Sequence, residues 1–215
     1  MRIAFLHTID DNPRIFEAAA GQLGLRAVDF LHEVRPHLRE AVQQAGAMPA
    51  DVKEETRRCI RELAARAHAV VVTCATLGAA LEETESTGAI VRADVALASA
   101  AGKASGKVVV LCAVESAVEP NRQLFARHAS PTVSSVEVIH VEAVWTLVRN
   151  GELDACFAAL AAATHAAYEN GAARVAYAHP WMAPAARLVR EDRQPLDSAR
   201  AALRAVMERS GKGSA

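Results

Sequence analysis

An apolar run closing on a thiol, Ala69, Val70, Val71, Val72, Thr73, Cys74, returns later in the chain with the thiol replaced by an imidazole. The second copy reads Arg174, Val175, Ala176, Tyr177, Ala178, His179, and Cys74 and His179 stand 105 positions apart (179 − 74 = 105). The same displacement carries Arg2, Ile3, Ala4, Phe5, Leu6, His7 onto Lys107, Val108, Val109, Val110, Leu111, Cys112. The stretch from Val28 to His32 resembles that from Val136 to His140 at a displacement of 108 (136 − 28 = 108), which would make His32 and His140 counterparts. Several features at nearly one offset indicate duplication of a domain-sized unit and not a short solenoid repeat.

Each half reads as strand and helix alternating three times. Short runs of Val and Ile without polar alternation suit strands covered on both faces. Between them lie stretches rich in Ala, Leu, Arg and Glu, notably residues 52–67 and 153–170, with strong helix propensity. Strands alternating with helices give an α/β fold, here two pseudo-symmetric parallel-sheet subdomains. The boundaries expected are 1–101 for the first, 107–190 for the second, and 195–209 for a terminal helix returning to the first. Residues 102–107 then read as a linker and 210–215 as a disordered tail. Ligands of such sheets bind beyond the carboxyl ends of the strands, where Thr8, Cys74, Ala113 and His179 all fall.

Composition narrows the function classes. The 215 residues carry a net charge of −1 with mixed signs, and no basic stripe for nucleic acid. No apolar run approaches the ~20 residues that span a membrane. The N-terminus enters a strand directly and is followed by Asp10 and Asp11, a poor signal peptide, so a cytoplasmic location is expected. The four cysteines lack CxxC spacing and the histidines lack HxxxH or HxH, so neither a disulfide framework nor a metal site is expected. GxGxxG and GxxxxGK[ST] are absent, which disfavours nucleotides. Cys59 and Cys156 fall inside Ala-rich helices and read as core, as does Cys112 among apolar neighbours. Cys74 differs: small and polar residues follow it, a helix start is expected there, and a helix N-terminus favours a thiolate.

These residues resemble the aspartate/glutamate/hydantoin racemase superfamily. The resemblance runs through most of the chain: the opening strand ending His7-Thr8; Val71 through Gly78 around Cys74; Lys107 through Pro120 with Ser116 and Glu119; Val141-Glu142-Ala143; and the late strand leading to His179, Pro180, Trp181, Met182 and Ala183. It implies two flavodoxin-like subdomains related by pseudosymmetry, an active site between them, and no metal or organic cofactor. In that superfamily a thiol at a strand end in each half moves a proton alpha to a carboxylate or carbonyl. Cys74 matches the first such position, within Cys-Ala-Thr. His179 occupies the second, a departure from the two-thiol pattern.

The chemistry implied is proton transfer alpha to a carboxylate or carbonyl: a racemase, isomerase or decarboxylase. Cys74 would serve as base or nucleophile and His179 as the opposing acid/base, since imidazole fills either role near neutral pH. The difficulty of the reaction is the developing enediolate charge, which fixed donors stabilise. The N–H groups of Ala75 and Thr76, the Thr76 hydroxyl, Thr8 and Ser116 are the candidate donors, and His7 a candidate substrate contact. Thr8 and Ser116 also read as helix caps, His179 as a core or turn-capping histidine, Glu142 as a solvated carboxylate, and Trp181 and Met182 as pocket lining or core. A small carboxylate or related molecule is the expected substrate, and a homo-oligomer the expected assembly. The alternative is a carboxylate-binding or regulatory protein on the same fold, without turnover.

Overall fold

A computed structural model provides the structure of the protein and describes residues 1–25, 28–78, 80–81 and 90–212. The chain divides into two units, Met1–Ala96 with Ala199–Ala215, and Leu97–Ser198.

Unit 1 is built on β1 (Arg2–His7), α1 (Asn12–Gln22), β2 (Asp29–Val34), α2 (Pro36–Ala45), α3 (Ala50–Ala64), β3 (Ala69–Val72), a single turn α4 (Ala75–Gly78), β4 (Ile90–Arg92) and the start of α5 (Ala93–Ala101). Its sheet is parallel throughout, in the order β2-β1-β3-β4. That is the flavodoxin-like winding, in which the strand order reverses between β1 and β3. Residues of β1 point alternately to two cores, which explains why its sequence shows no polar alternation. Ile3 and Phe5 join Val71, Phe16, Ala19 and Ala20 on one face. Ala4 and Leu6 join Val70, Val72, Leu38, Cys59, Ile60 and Leu63 on the other. The first face is completed from the far end of the sequence: α9 (Ser198–Lys212) contributes Ala199, Ala202, Leu203 and Val206.

Unit 2 repeats the plan with the rest of α5, then β5 (Gly106–Cys112), α6 (Val118–His128), β6 (Val133–His140), α7 (Val144–Arg149), α8 (Leu153–Glu169), β7 (Ala172–Tyr177) and β8 (Leu196–Asp197), in the sheet order β6-β5-β7-β8. All three pairings are parallel. Val108 through Cys112, Val175 through Tyr177 and Leu160 of α8 are buried. The Tyr177 hydroxyl lies 2.8 Å from Thr164 Oγ1, which itself donates to the Leu160 carbonyl. Tyr177 is therefore the donor of the first bond. Burial pushes its phenol up to about 12.

Four points differ from the sequence expectation. Among the described residues each half carries four strands, not three. The extra ones, β4 and β8, are three and two residues long, too short to leave a periodic signal. Residues 102–107 are not a free linker. Gly102 accepts from Ser130 N and donates to Ala98 O, and Lys107 lies within β5, paired with Glu137. The unit boundary instead lies inside α5, between Ala96 and Leu97. The terminal helix runs Ser198–Lys212 and not 195–209. Leu196 and Asp197 pair with β7, and Ser210, read as tail, donates within the helix to Val206 O. Residues 213–215 of the expected tail lie outside the described residues. Finally, strand register separates His32 from His140. Phe5 pairs with His32, whereas Cys112, the counterpart of His7, pairs with His140. The likeness at displacement 108 is thus two residues out of structural step.

The packing at Gly102 is testable. A Cβ there would fall on the His128 carbonyl oxygen, a backbone atom with little freedom to yield. Gly102→Ala is expected to destabilise the protein by about 1–3 kcal/mol, read as a lower urea midpoint at unchanged m-value.

Candidate active site

The parallel ladders place Cys74 and His179 at one structural position of the repeated unit. Leu6 pairs with Val72 in unit 1, and Leu111 with Tyr177 in unit 2. One residue on, Thr73 N donates to the Leu6 carbonyl at 3.1 Å, and Ala178 N donates to the Leu111 carbonyl at 3.0 Å. Cys74 and His179 follow these bonds directly. Each stands at the carboxyl edge of its own sheet, on the strand flanking the point where strand order reverses, the ligand edge of doubly wound sheets.

In unit 1 the residues converging there are Thr8 beyond β1 and Thr73, Cys74, Ala75 and Thr76 beyond β3. Cys74 is partly exposed, while Cys59, Cys112 and Cys156 are buried. Burial raises all three of those thiols, Cys112 to about 11. Cys74 is thus the thiol open to a reagent. Its carbonyl accepts from Leu77 N, which closes the single turn of α4. The helix expected after Cys74 is therefore only four residues long. Leu77 anchors the turn in the core, Ala75 is exposed, and Thr76 is half-buried. Arg92, at the end of β4, fastens the far end of the turn: Nη1 donates to the Gly78 carbonyl at 3.2 Å, while Asp94 takes Nε and Nη2 at 3.2 and 2.6 Å. A side chain at position 78 would meet Arg92 Cζ at 2.5 Å, so Gly78 is what lets the guanidinium lie over the turn.

His7 corrects the expectation of a substrate contact. It has no exposed surface, and both ring nitrogens are held by protein: Nδ1 lies 3.0 Å from Thr73 Oγ1, and Nε2 2.9 Å from His32 Nδ1. Burial, with the neighbouring His32, pushes its pKa down to about 3. His32 is lowered too by burial, opposed by Glu17. Thr8 is likewise buried, and it does not cap α1, whose N-cap is Asp11.

In unit 2, His179 follows β7 and precedes the 3-10 helix Pro180–Leu188, its carbonyl accepting from Met182 N. The ring stacks on Trp181 at 5.6 Å with an interplanar angle of 7°, and Trp181 in turn packs on Trp145. Trp181 and Met182 are buried. Although the residue is only partly buried, Nε2 is closed to solvent and has no hydrogen-bond partner. Burial pushes the His179 pKa down to about 4. Ser116 lies exposed in the turn Glu115–Ala117 and caps no helix, since Ala117 is the N-cap of α6. Glu142 is exposed beside Ala143, which adopts a left-handed φ of 64°. Ala143 is the one described non-glycine residue in that region, a strained backbone position that no sequence pattern announces. Among the described residues no three His, Cys, Asp or Glu side chains gather as a metal site, and no helix is long and apolar enough to cross a membrane.

No protein-family model matches the sequence, and no curated protein matches it significantly. Solved structures do match. An allantoin racemase from Klebsiella pneumoniae superposes with a TM-score of 0.70 at 20% identity, covering 99% of this chain and 89% of that one. A maleate isomerase from Pseudomonas putida S16, solved with maleate, gives 0.62 at 14% identity, over 96% and 90%. An aspartate racemase homologue from Pyrococcus horikoshii OT3 gives 0.62 at 8% identity, over 98% and 99%. The chain therefore has the fold that these solved structures share. Within this racemase-type fold, Cys74 and His179 stand at equivalent strand ends of the two halves, as the sequence repeat requires. Thr73 and Arg92 hold the Cys74 turn, and the sequence assigned neither a role; His32, read there only as part of the repeat, meets His7.

The buried histidines make stability depend on pH in one direction. Folding lowers the pKa of His7 and His179, so the unfolded chain binds protons that the folded chain refuses. Stability is then fullest above pH 6.5 and falls as the pH drops towards 4. Each residue is expected to remove about 2 kcal/mol between pH 8 and pH 5. Urea unfolding at the two pH values measures this, and His179→Phe should abolish its share of the difference.

Proposed function

We propose that the protein is a cofactor-independent enzyme that moves a proton alpha to a carboxylate or carbonyl, with Cys74 as base or nucleophile and His179 as the opposing acid/base. The observation that carries this reading is the shared ladder position of the two residues, each set by the same backbone hydrogen bond. The racemase-type fold and its neighbours, allantoin racemase and maleate isomerase among them, support the reaction class.

The two residues have complementary properties. Cys74 is the accessible thiol of the four. His179 is kept neutral by burial, and its Nε2, closed to solvent, is bonded to no protein group. A neutral imidazole accepts a proton from carbon, and burial makes the resulting cation ready to release it again. Carbanionic charge developing on the substrate's carboxylate or carbonyl oxygen needs donors that are already in place. The N–H groups of Ala75 and Thr76 and the Thr76 hydroxyl, all next to Cys74, fill that role, and Ser116 is a further candidate from unit 2. The substrate class is a small carboxylate or a cyclic relative such as a hydantoin.

Solvent-deuterium exchange at the alpha carbon of small carboxylates and hydantoins, followed by proton NMR, tests the proposal. Exchange is expected with the native chain and to fall ~10²–10⁴-fold in Cys74→Ser, the usual contribution of a positioned acid or base. His179→Asn should keep exchange on one face, driven by Cys74, but lose interconversion of enantiomers. Tight binding without any exchange would instead establish a carboxylate-binding or regulatory protein.

A further inference from the structure

Behind Cys74 a chain of polar groups that proton transfer as proposed does not use runs inward from the surface: exposed Glu17 on α1, half-buried His32 on β2, and buried His7 on β1 and Thr73 just after β3. The contacts run Glu17 Oε1 to His32 Nε2 at 3.6 Å, His32 Nδ1 to His7 Nε2 at 2.9 Å, His7 Nδ1 to Thr73 Oγ1 at 3.0 Å, and Thr73 Oγ1 to the Leu6 carbonyl at 3.1 Å. The Leu6 end gives one consistent direction of donation. A carbonyl only accepts, and with the hydroxyl proton of Thr73 on Leu6 O the remaining roles follow. His7 Nδ1 must then donate to Thr73, leaving His7 Nε2 as a bare acceptor, and His32 Nδ1 must donate to it. All donors point one way, towards Leu6, an arrangement in which each bond strengthens the next. The walls are aromatic: Phe5 stacks on both imidazoles, Phe16 meets His7 edge-on, and Phe30 leans on His32.

We infer that His7 and His32 are positioning residues for Cys74, acting through Thr73, whose hydroxyl and backbone N–H they lock onto the Leu6 carbonyl at the last residue before the thiol. Thr73 is the one residue of the turn held by two bonds to a neighbouring strand, from N and from Oγ1, both to Leu6 O. Freed of His7, the hydroxyl has its remaining lone pair buried and unmatched, a cost it can relieve only by turning. Such a turn would release the neighbouring backbone from which Cys74 projects. The chain also tolerates a charge. His32 Nε2 has no hydrogen-bond partner in the neutral form and faces Glu17. A proton added there is matched by that carboxylate and leaves the bonds to His7 and Thr73 in place. A proton on His7 would instead set its Nε2–H against the Nδ1–H of His32.

The inference rests on Cys74 being the reactive thiol, and its test does not require turnover. Cys74 in the intact protein is alkylated with iodoacetamide across pH 6–10, and the modified peptide is quantified by mass spectrometry. Thr73→Val and His7→Phe are expected to change the Cys74 alkylation rate about tenfold, the scale of one net hydrogen bond, or to move its pH midpoint. Thr73→Ser, which keeps the hydroxyl, should restore the native profile to within about twofold. Imidazole 15N spectra should show both His7 and His32 protonated at Nδ1, and His7→Asn, which keeps a donor to Thr73 but loses His32, should fall between native and His7→Phe. Profiles of Thr73→Val and His7→Phe superimposing on the native one, or His7 protonated at Nε2 alone, would overturn the inference. If Thr73→Val fails to fold, His7→Asn and the native spectrum decide the question. An absence of deuterium exchange with every substrate, beside an altered alkylation profile, would sink the proposed reaction while leaving this role of His7 and His32 standing.

Discussion

The bonds that the Leu6 and Leu111 carbonyls accept just past the ends of β3 and β7 set where one half presents Cys74 and the other His179. Each lies at the end of a central pair of parallel strands buried on both faces, where water cannot compete for the backbone groups. An unmade bond there would leave a buried donor and acceptor without partners, at a cost of about 1–3 kcal/mol. Register within each pair is therefore closely fixed. A slip by one residue would turn Val70 and Val72 into the core now filled by Phe5 and Val71. The same restraint that aligns the hydrophobic side chains delivers Cys74 and His179 to equivalent strand ends.

Around that shared frame the two halves have diverged by chemistry. Unit 1 surrounds its strand end with polar groups: His7 at the end of β1, Thr73 beside the thiol, Arg92 clasping the turn through Gly78. Unit 2 has Cys112 where His7 would stand, a buried thiol held protonated by desolvation, and stacks His179 on the indole of Trp181, which is itself backed by Trp145. The apolar shell keeps the His179 imidazole neutral.

Much of the frame was legible in the residues. Central strands buried on both faces must be continuous apolar runs, so β1, β3, β5 and β7 stand out, and their repetition marks two copies of one unit. Cys74 was legible because it alone among the cysteines is followed by small and polar residues. Edge strands β4 and β8 were not, because two or three residues carry no period. The equivalence drawn between His32 and His140 failed for a related reason. A likeness of five residues cannot detect a shift of two, whereas hydrogen-bond register can.

By itself the sequence determined the alternation of strands and helices, the duplication, and the correspondence of Cys74 with His179, because all three follow from the order of apolar and polar residues along one dimension. Only tertiary structure decided what surrounds them. His7 looked like a residue at a binding edge and proved to be buried, with both nitrogens committed to Thr73 and His32, residues 66 and 25 positions away in the chain. Its ionisation, and that of His179, is set by desolvation, which depends on which side chains meet in space. The helix at the end of the chain completes the core against β1 for the same reason. A buried face is satisfied by whichever segment brings an apolar stripe to it, whatever its place in the sequence.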